Sequence, residues 1–537
     1  MVRCNDCSLM LTNPQPSDTE LHEIYDENYF LAEEGVSGRA HTEALKAATA
    51  DEYLSLLTRY GVKPGARLLE IGCGHGDFLV RAAHRGLDVT GVEYSASSCA
   101  VVRQKLAGLG TIIQGEIDTL PESWEGQFDV VAASDVIEHV RDPQAFLAAA
   151  HRLLKPGGVL FLATPTLDSW SARLLRNSWM EFKPEHLWYF KSATLQTLLT
   201  RGGFGGIIEK PCRKTLDLDY IADHFERYPV PGFSPCVALV RRLLPTALRR
   251  RPLRVVASGM VLMSRRQEIT AKPVLSIVVP AYNEAPTLDF ALRKLLAKEV
   301  KGVDLQIVIV ESNSDDGTRE LVARYEHHPR VTVVWQDAPL GKGHAVRAGL
   351  ECVTGDYVMI QDADLEYDLE DYEALLEPLL SGRAAFVLGA RHGGVAWKMR
   401  QFTGQPILSA VMNTAHRFFT FLVNALFGAR LRDPFTMYKV FRRDCLHGLR
   451  FECDRFDFDF ELVIKLLQKG YKPLEIPVNY RSRSFSEGKK VSFLRDPLTW
   501  LRALAKFRLS KVNPLEEVAR QQREAVSNRP GCPAAIS

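Results

Sequence analysis

The 537-residue sequence predicts an α/β protein built from two doubly wound domains, and three observations predict it. Apolar strand-like runs alternate with helical segments from Arg67 onward, and the alternation restarts after QEITAKP at 267–273. A glycine-rich turn, LLEIGCGHGDF at 68–78, follows one apolar strand, and a pair of carboxylates one residue apart, in MIQDADLEYD at 359–368, follows another. The length exceeds what one core supports, so two or three domains are expected.

Within the first domain, set at 40–266, the segments RLLEIG, DVTGVE, TIIQG, FDVVAAS, GVLFLATP, a run at 206–210 and RVVASGMVLMSRR read as seven strands. FLVRAAHRG, SSCAVVRQKLAG, DPQAFLAAAHRLLKPGG and SATLQTLLTRGGF read as the intervening helices. Ligands in such sheets bind at the strand C-termini. Gly72, Gly74 and Gly76 lie there and let the backbone turn close to a ligand. Glu70 precedes them, Glu93 ends the next strand, and Glu116 with Ile117 follows the third. After a linker at 267–272 the second domain, 273–511, begins with VLSIVVPAYNEAPTL, a buried strand followed by a loop carrying Asn283 and Glu284. LQIVIVESNSDDGT is its second strand, and VTVVWQDAPLGKGHAVRAGL a third strand with a GKG loop entering a helix. A helix N-terminus with a lysine suits an anion.

A formal net charge of +2 argues against nucleic acid as a partner. The basic runs at 241–254 and 480–490 are local, and most such runs are solvated faces. The chain start has no apolar signal segment, and no uninterrupted apolar run approaches the roughly 20 residues of a membrane span. FFTFLVNALFG at 418–428 is the nearest candidate. Ten scattered cysteines suit a reducing cytoplasm. Cys4 and Cys7 form one CxxC, half of a tetrahedral zinc site. They are either two unligated thiols or the second half of a zinc ribbon whose first CxxC lies upstream, and zinc is expected only in that case. The residues after Asn513 are polar, and 512–537 reads as a disordered tail.

The glycine turn, Glu93, GEIDTLP, SDVIEHVRDP and LLKPGG together resemble class I S-adenosylmethionine-dependent methyltransferases over the whole of 40–266. With the CxxC start and PEHLWYF, the segment looks like the zinc-ribbon-associated subgroup. The resemblance implies a Rossmann-like domain with S-adenosylmethionine as cofactor. Gly72–Gly76 would lie on its methionine part and adenosine, Glu93 on the ribose, and Glu116 with Ile117 near the adenine. Methyl transfer to a hydroxyl needs a base. His139 and His186 are the candidates, each equally readable as a structural or pocket residue.

In the second domain, PAYNE, GKGHAVRAGL, QDADLEYD, LGARH, RDPFTMYKVFRR and VNYRSRSFSEGKK resemble glycosyltransferase family 2 on the GT-A fold. The nearest branch is the polyprenyl-phosphate type, similar to dolichol-phosphate mannose synthase. The resemblance implies a nucleotide sugar held by Pro280, Tyr282, Asn283, Glu284, Glu311, Lys342 and Asp362. It implies Asp362, Asp364 and Glu366 on Mg or Mn at the donor diphosphate, where hard oxygen ligands suit such ions. It also implies Arg391, Arg483 and Lys489 on an acceptor phosphate. The family has two aspartates where this chain has Glu311 and Ser312, so the choice between a GDP- and a UDP-sugar stays open. A glycan hydroxyl would need a base, for which Asp459 and Glu461 are available; a lipid phosphate would not. LTWLRALAKFRLSK at 498–511 reads either as an interfacial amphipathic helix or as a helix packed on its own domain.

The expected function is therefore a bifunctional transferase of cell-surface glycan synthesis. It is cytoplasmic, with possible peripheral contact to the inner face of a membrane. The alternative is an active glycosyltransferase with a non-catalytic S-adenosylmethionine-binding or docking domain.

Overall fold

The computed structural model describes residues 1–4, 9–17, 19–21, 39–230, 232–268, 272–364, 366–391, 406–481, 495–510 and 512–527. Cys7, Arg483 and Lys489 lie outside them. The chain divides into two compact units, Met1–Glu268 with Leu515–Ser537, and Ile269–Pro514.

In the first unit, a hairpin of β1 (Val2–Arg3) and β2 (Met10–Leu11) pairs with β8 (Trp188–Tyr189). The main sheet contains β3 (Arg67–Ile71), β4 (Asp88–Glu93), β5 (Gly110–Gln114), β6 (Phe128–Ser134), β7 (Leu154–Pro165), β9 (Phe204–Leu216) and β10 (Leu253–Arg266). Their order is β5-β4-β3-β6-β7-β10-β9. The first five are parallel, and β10 runs antiparallel to both its neighbours. All seven expected strands are present. The reversal of strand order at β3 opens a crevice beyond its C-terminal end, the place where such sheets hold ligands.

The sequence reading missed one helix that builds the core. Arg39–Tyr60 precedes β3 and buries Tyr53, Leu54, Leu57 and Tyr60 against Leu79, Ala82 and Val102. The segment KPGG, expected at the end of a helix, belongs to β7, since the helix ends at Leu153. A disordered tail does not describe Pro514–Ser527, which form a helix. Leu515 and Val518, three residues apart on one helical face, are buried in the core of the first unit. The basic run at 241–254 is partly neutralised by helix Leu218–Arg227: Arg241 lies 3.3 Å from Asp219, 3.0 Å from Asp223 and 3.0 Å from Glu226.

The second unit has a seven-stranded mixed sheet of β11 (Val274–Ala281), β12 (Asp304–Glu311), β13 (Val331–Trp335), β14 (Tyr357–Ile360), β15 (Phe386–Ala390), β16 (Lys439–Arg442) and β17 (Leu474–Pro477). Its order is β13-β12-β11-β14-β16-β15-β17, with β16 antiparallel to β14 and β15. β11 and β14 are nearly all apolar, and β12 is so from Ile307 to Val310, because both faces of these central parallel strands are covered. Helix Arg495–Leu509 buries Ala503, Leu504 and Phe507, and Trp500 sits edge-on to Phe419 with ring centroids 5.1 Å apart. It packs on its own unit while Leu498, Leu501 and Leu509 stay exposed. Among the described residues, no helix is long and apolar enough to cross a membrane.

Candidate functional site

In the first unit Glu70, Gly72, Gly74, Glu93, Glu116 and Ile117 line one cavity of about 1790 Å³. Gly72, Gly74 and Gly76 have φ of 65°, 51° and 77°. At Gly72 the requirement is also steric, since a Cβ would lie 2.6 Å from Val136 Cγ2. The Gly74 N–H donates to Glu93 Oε2 at 2.8 Å and the Ser95 N–H to Oε1 at 3.0 Å. Each carboxylate oxygen retains a lone pair for a ligand hydroxyl. Glu70 is buried, and its Oε2 has no hydrogen-bond partner among the described residues. Burial pushes its carboxyl well up, and Asp77 and Glu93 add to this. An ammonium group would satisfy such a carboxyl, so the donor set fits the amino-acid end of S-adenosylmethionine.

His139 and His186 meet edge to face, ring centroids 4.7 Å apart. Backbone bonds from Leu187 N (2.8 Å) and Trp188 N (3.1 Å) to the Glu138 carbonyl tie PEHLWYF to the loop after β6. The sequence reading missed Glu138, although it adjoins His139 in VIEHV. Polar atoms of Glu138, His139 and His186 lie within 4.8 Å of one another. Burial, and after it His186, lowers His139 to about 3. Burial, followed by Lys183, lowers His186 to about 4. Burial and then Asp135 raise Glu138 to about 8. The cluster is therefore uncharged near neutral pH.

In the second unit the loops after β11 and β12 are knitted together. Pro280 lies near the end of β11, paired with Val310, and Tyr282 is partly exposed beyond it. Asn283, at φ 50°, donates from Nδ2 to Asp315 at 2.8 Å, and its Oδ1 accepts the Asp315 N–H at 3.1 Å. The Glu284 N–H donates to Thr318 at 2.9 Å, and the Ala285 N–H to Asp316 at 3.0 Å. Asp315 and Asp316 were passed over in the sequence, though ESNSDDGT displays both. Glu311 is fully buried. Its oxygens accept Asn313 N (3.1 Å) and Ser314 N (2.7 Å), and Arg319 lies 2.7 Å away. This placement shapes the loop from inside.

Asp362 and Asp364 follow β14. Lys342, at the start of helix Lys342–Glu351, is ion-paired to Asp362. Burial lowers the lysine's proton affinity, but Asp362 and Asp459 outweigh it and the net shift is upward. Asp364 Oδ1 accepts the Glu366 N–H at 3.1 Å, and Glu366 Oε2 accepts the Tyr480 hydroxyl at 2.8 Å. Hard oxygen donors already attracting a cation fit a divalent ion. The glycines beside Lys342 serve packing: a Cβ on Gly341 would lie 2.4 Å from the Asp454 carbonyl oxygen, and one on Gly343 2.6 Å from that of Cys453.

The two candidate bases differ in placement. Asp459 is ion-paired at 2.8 Å to the buried Lys439 and is among the carboxylates acting on Lys342. A lysine inside the apolar run MYKVF was the available signal for Lys439. Glu461 is fully buried and accepts the N–H groups of Glu452 and Cys453, with Lys465 2.6 Å away, which suits it to hold that turn. Arg391 is buried, with Nε and Nη2 each 2.8 Å from Asp433 and the guanidinium carbon 5.1 Å from the centre of the Tyr480 ring.

A methyltransferase domain family matches residues 42–207, and glycosyl transferase family 2 matches 276–449. The chain joins a methyltransferase domain to a family 2 glycosyltransferase domain. The first part is similar to the ubiquinone biosynthesis O-methyltransferase of Pseudomonas aeruginosa, 40% identical over 103 residues, covering 19% of this chain and 44% of that protein. The second is similar to glycosyltransferase AglD of Haloferax volcanii, 27% identical over 230 residues, covering 42% of this chain and 35% of that protein. The chain thus spans under half the length of these curated relatives. Magnesium protoporphyrin IX methyltransferase of Synechocystis superposes with a TM-score of 0.32 at 17% identity, covering 47% of this chain and all of that one, too slight a likeness to argue from.

Proposed function

We propose that the protein is a bifunctional transferase of surface-glycan or lipid-linked sugar synthesis. The methyltransferase domain takes a methyl group from S-adenosylmethionine, and the glycosyltransferase domain moves a sugar from a GDP- or UDP-sugar, with inversion, to a polyprenyl phosphate or glycan. The observation that carries this reading is that each unit gathers its own donor constellation. Glu70, the glycine turn and Glu93 line one cavity, while Asp362, Asp364 and Lys342 cluster beyond β14.

S-adenosylmethionine, when bound, supplies an electrophilic methyl group; Glu70 would take its ammonium and Glu93 its ribose hydroxyls. Asp362, Asp364 and Glu366 would hold a divalent ion, which neutralises charge growing on the leaving diphosphate. Lys342 adds a cation beside the same oxygens. If the acceptor is a sugar hydroxyl, Asp459 is the better placed base, since Glu461 is enclosed. A phosphate acceptor needs no base; the expected cations Arg483 and Lys489 belong to the reading, and Arg391 would orient through Asp433.

Helix Pro406–Phe427 exposes Ile407, Val411, Phe418 and Phe421, spaced so as to share one face. Together with exposed Leu498, Leu501 and Leu509 this supports peripheral contact with the cytoplasmic face of a membrane. The test is direct. The purified chain is incubated with Mn²⁺, labelled S-adenosylmethionine or labelled nucleotide sugars, and a membrane lipid extract, and the product carrying each label is identified. Sugar label entering the lipid fraction and methyl label entering any acceptor are expected. Donor binding without methyl transfer would leave a sensing or docking domain, and label retained on the nucleotide sugars would overturn the glycosyltransferase reading.

A further inference from the structure

Glu138 and His186 hold the two buried polar atoms of the methyltransferase cavity that best describe its acceptor. Glu138 is 1% exposed and His186 4% exposed, and both line the cavity beside Gly72 and Glu93. Thr164 donates to Glu138 Oε2 at 2.9 Å, and Oε1 has no hydrogen-bond partner among the described residues. Among the described residues His186 Nδ1 likewise has no hydrogen-bond partner. With its proton on Nε2, the neutral ring presents a lone pair on Nδ1. His139 braces the ring edge to face and is itself 3.1 Å, through Nδ1, from the Glu185 carbonyl oxygen. Buried polar atoms without partners carry a cost that a bound group can remove.

We propose, on the reading that this domain binds S-adenosylmethionine, that Glu138 and His186 form a hydroxyl-binding and proton-accepting centre, with His139 as positioning residue, so that the methyl acceptor is a neutral alcohol or phenol and the product a methyl ether. A hydroxyl can donate to His186 Nδ1 and accept from or share a proton with Glu138 Oε1, answering both atoms at once. As the oxygen–methyl bond forms, the carbon–sulfur bond breaks with its electron pair left on sulfur. The hydroxyl proton passes to Nδ1 and then to solvent. An uncharged cluster also selects against ammonium or carboxylate acceptors, whose desolvation it would not offset. The charged groups facing it are Asp135, Lys183, Lys214 and Glu181.

The test uses the full chain with ¹³C-labelled histidine, His186 being assigned with the His186→Gln variant, in the presence and absence of S-adenosylhomocysteine. His139 and His186 should show flat Cε1 shifts from pH 8 down to 5. Phenol should shift His186 in a saturable manner, while benzoate and benzylammonium should not, and His186→Gln should keep its melting temperature and its S-adenosylhomocysteine affinity within about twofold. Titration of either histidine near its ordinary value, selective broadening of both by Mn²⁺, or a response to the ions and not to phenol would overturn the proposal. The pH and probe titrations do not depend on donor binding. Failure of S-adenosylhomocysteine to bind would instead strike the donor assignment.

Discussion

At Gly72 the left-handed backbone and the 2.6 Å approach that a Cβ would make to Val136 act together. We predict that Gly72→Ala leaves the first unit folded but lowers S-adenosylhomocysteine affinity at least tenfold, about 1.4 kcal/mol, as read by calorimetry; unchanged affinity would remove the turn from the donor site. Asp433 makes a different kind of demand. Burial raises its carboxyl, but Arg391 outweighs it and holds the group far below the usual carboxylate range. Removing the carboxylate in Asp433→Ala strands a buried guanidinium, at a cost of about 3–5 kcal/mol, seen as an earlier urea midpoint for the second unit. Because the folded value is depressed, the pair's contribution is complete above the ordinary carboxylate value of 3.8 and is lost as pH falls below it. Acid titration of wild type and variant should therefore converge at low pH. Neither Glu461 nor Arg391 could be placed from sequence alone. A glutamate enclosed by two backbone N–H groups and an arginine locked to Asp433 look the same in a string of letters as exposed, ligand-facing ones.

Helix Pro514–Ser527 is the element that sequence patterning handled worst. PLEEVARQQREAVS is polar enough to read as a solvated tail, yet Leu515 and Val518 suffice to fix it because they enter an existing core. We predict that Leu515→Ala destabilises the first unit by about 2–5 kcal/mol, read as a downward shift of one calorimetric transition with the other unmoved. No shift would mean that the helix does not hold in solution. Helix Arg495–Leu509 shows the same ambiguity from the other side. Its apolar positions serve two faces, one buried and one exposed, and periodicity alone does not divide them. The central strands posed no such difficulty, since burial on both faces leaves a nearly unbroken apolar run.

At the scale of the whole molecule, the proposed reading puts the two donors in separate units, which implies two separable activities. We predict that Asp364→Asn lowers sugar transfer by at least a hundredfold, unrelieved by added Mn²⁺, while methyl transfer stays within about twofold; Gly72→Ala should do the reverse. Loss of both activities in either single variant would contradict independent sites. The sequence by itself determined the two α/β domains, the seven strands of the first sheet and the glycine and carboxylate motifs at strand ends. These are local patterns, set by which residues can turn sharply or be covered on both faces. Only the tertiary structure decided that Glu138 lies against His186, that Lys439 neutralises Asp459, that Gly341 and Gly343 yield to the chain at 453–455, and that Leu515 and Val518 complete the first core. Each of these joins residues far apart in the chain or settles which side of an element is covered. Their energies come from burial and charge pairing, which exist only once the chain has closed.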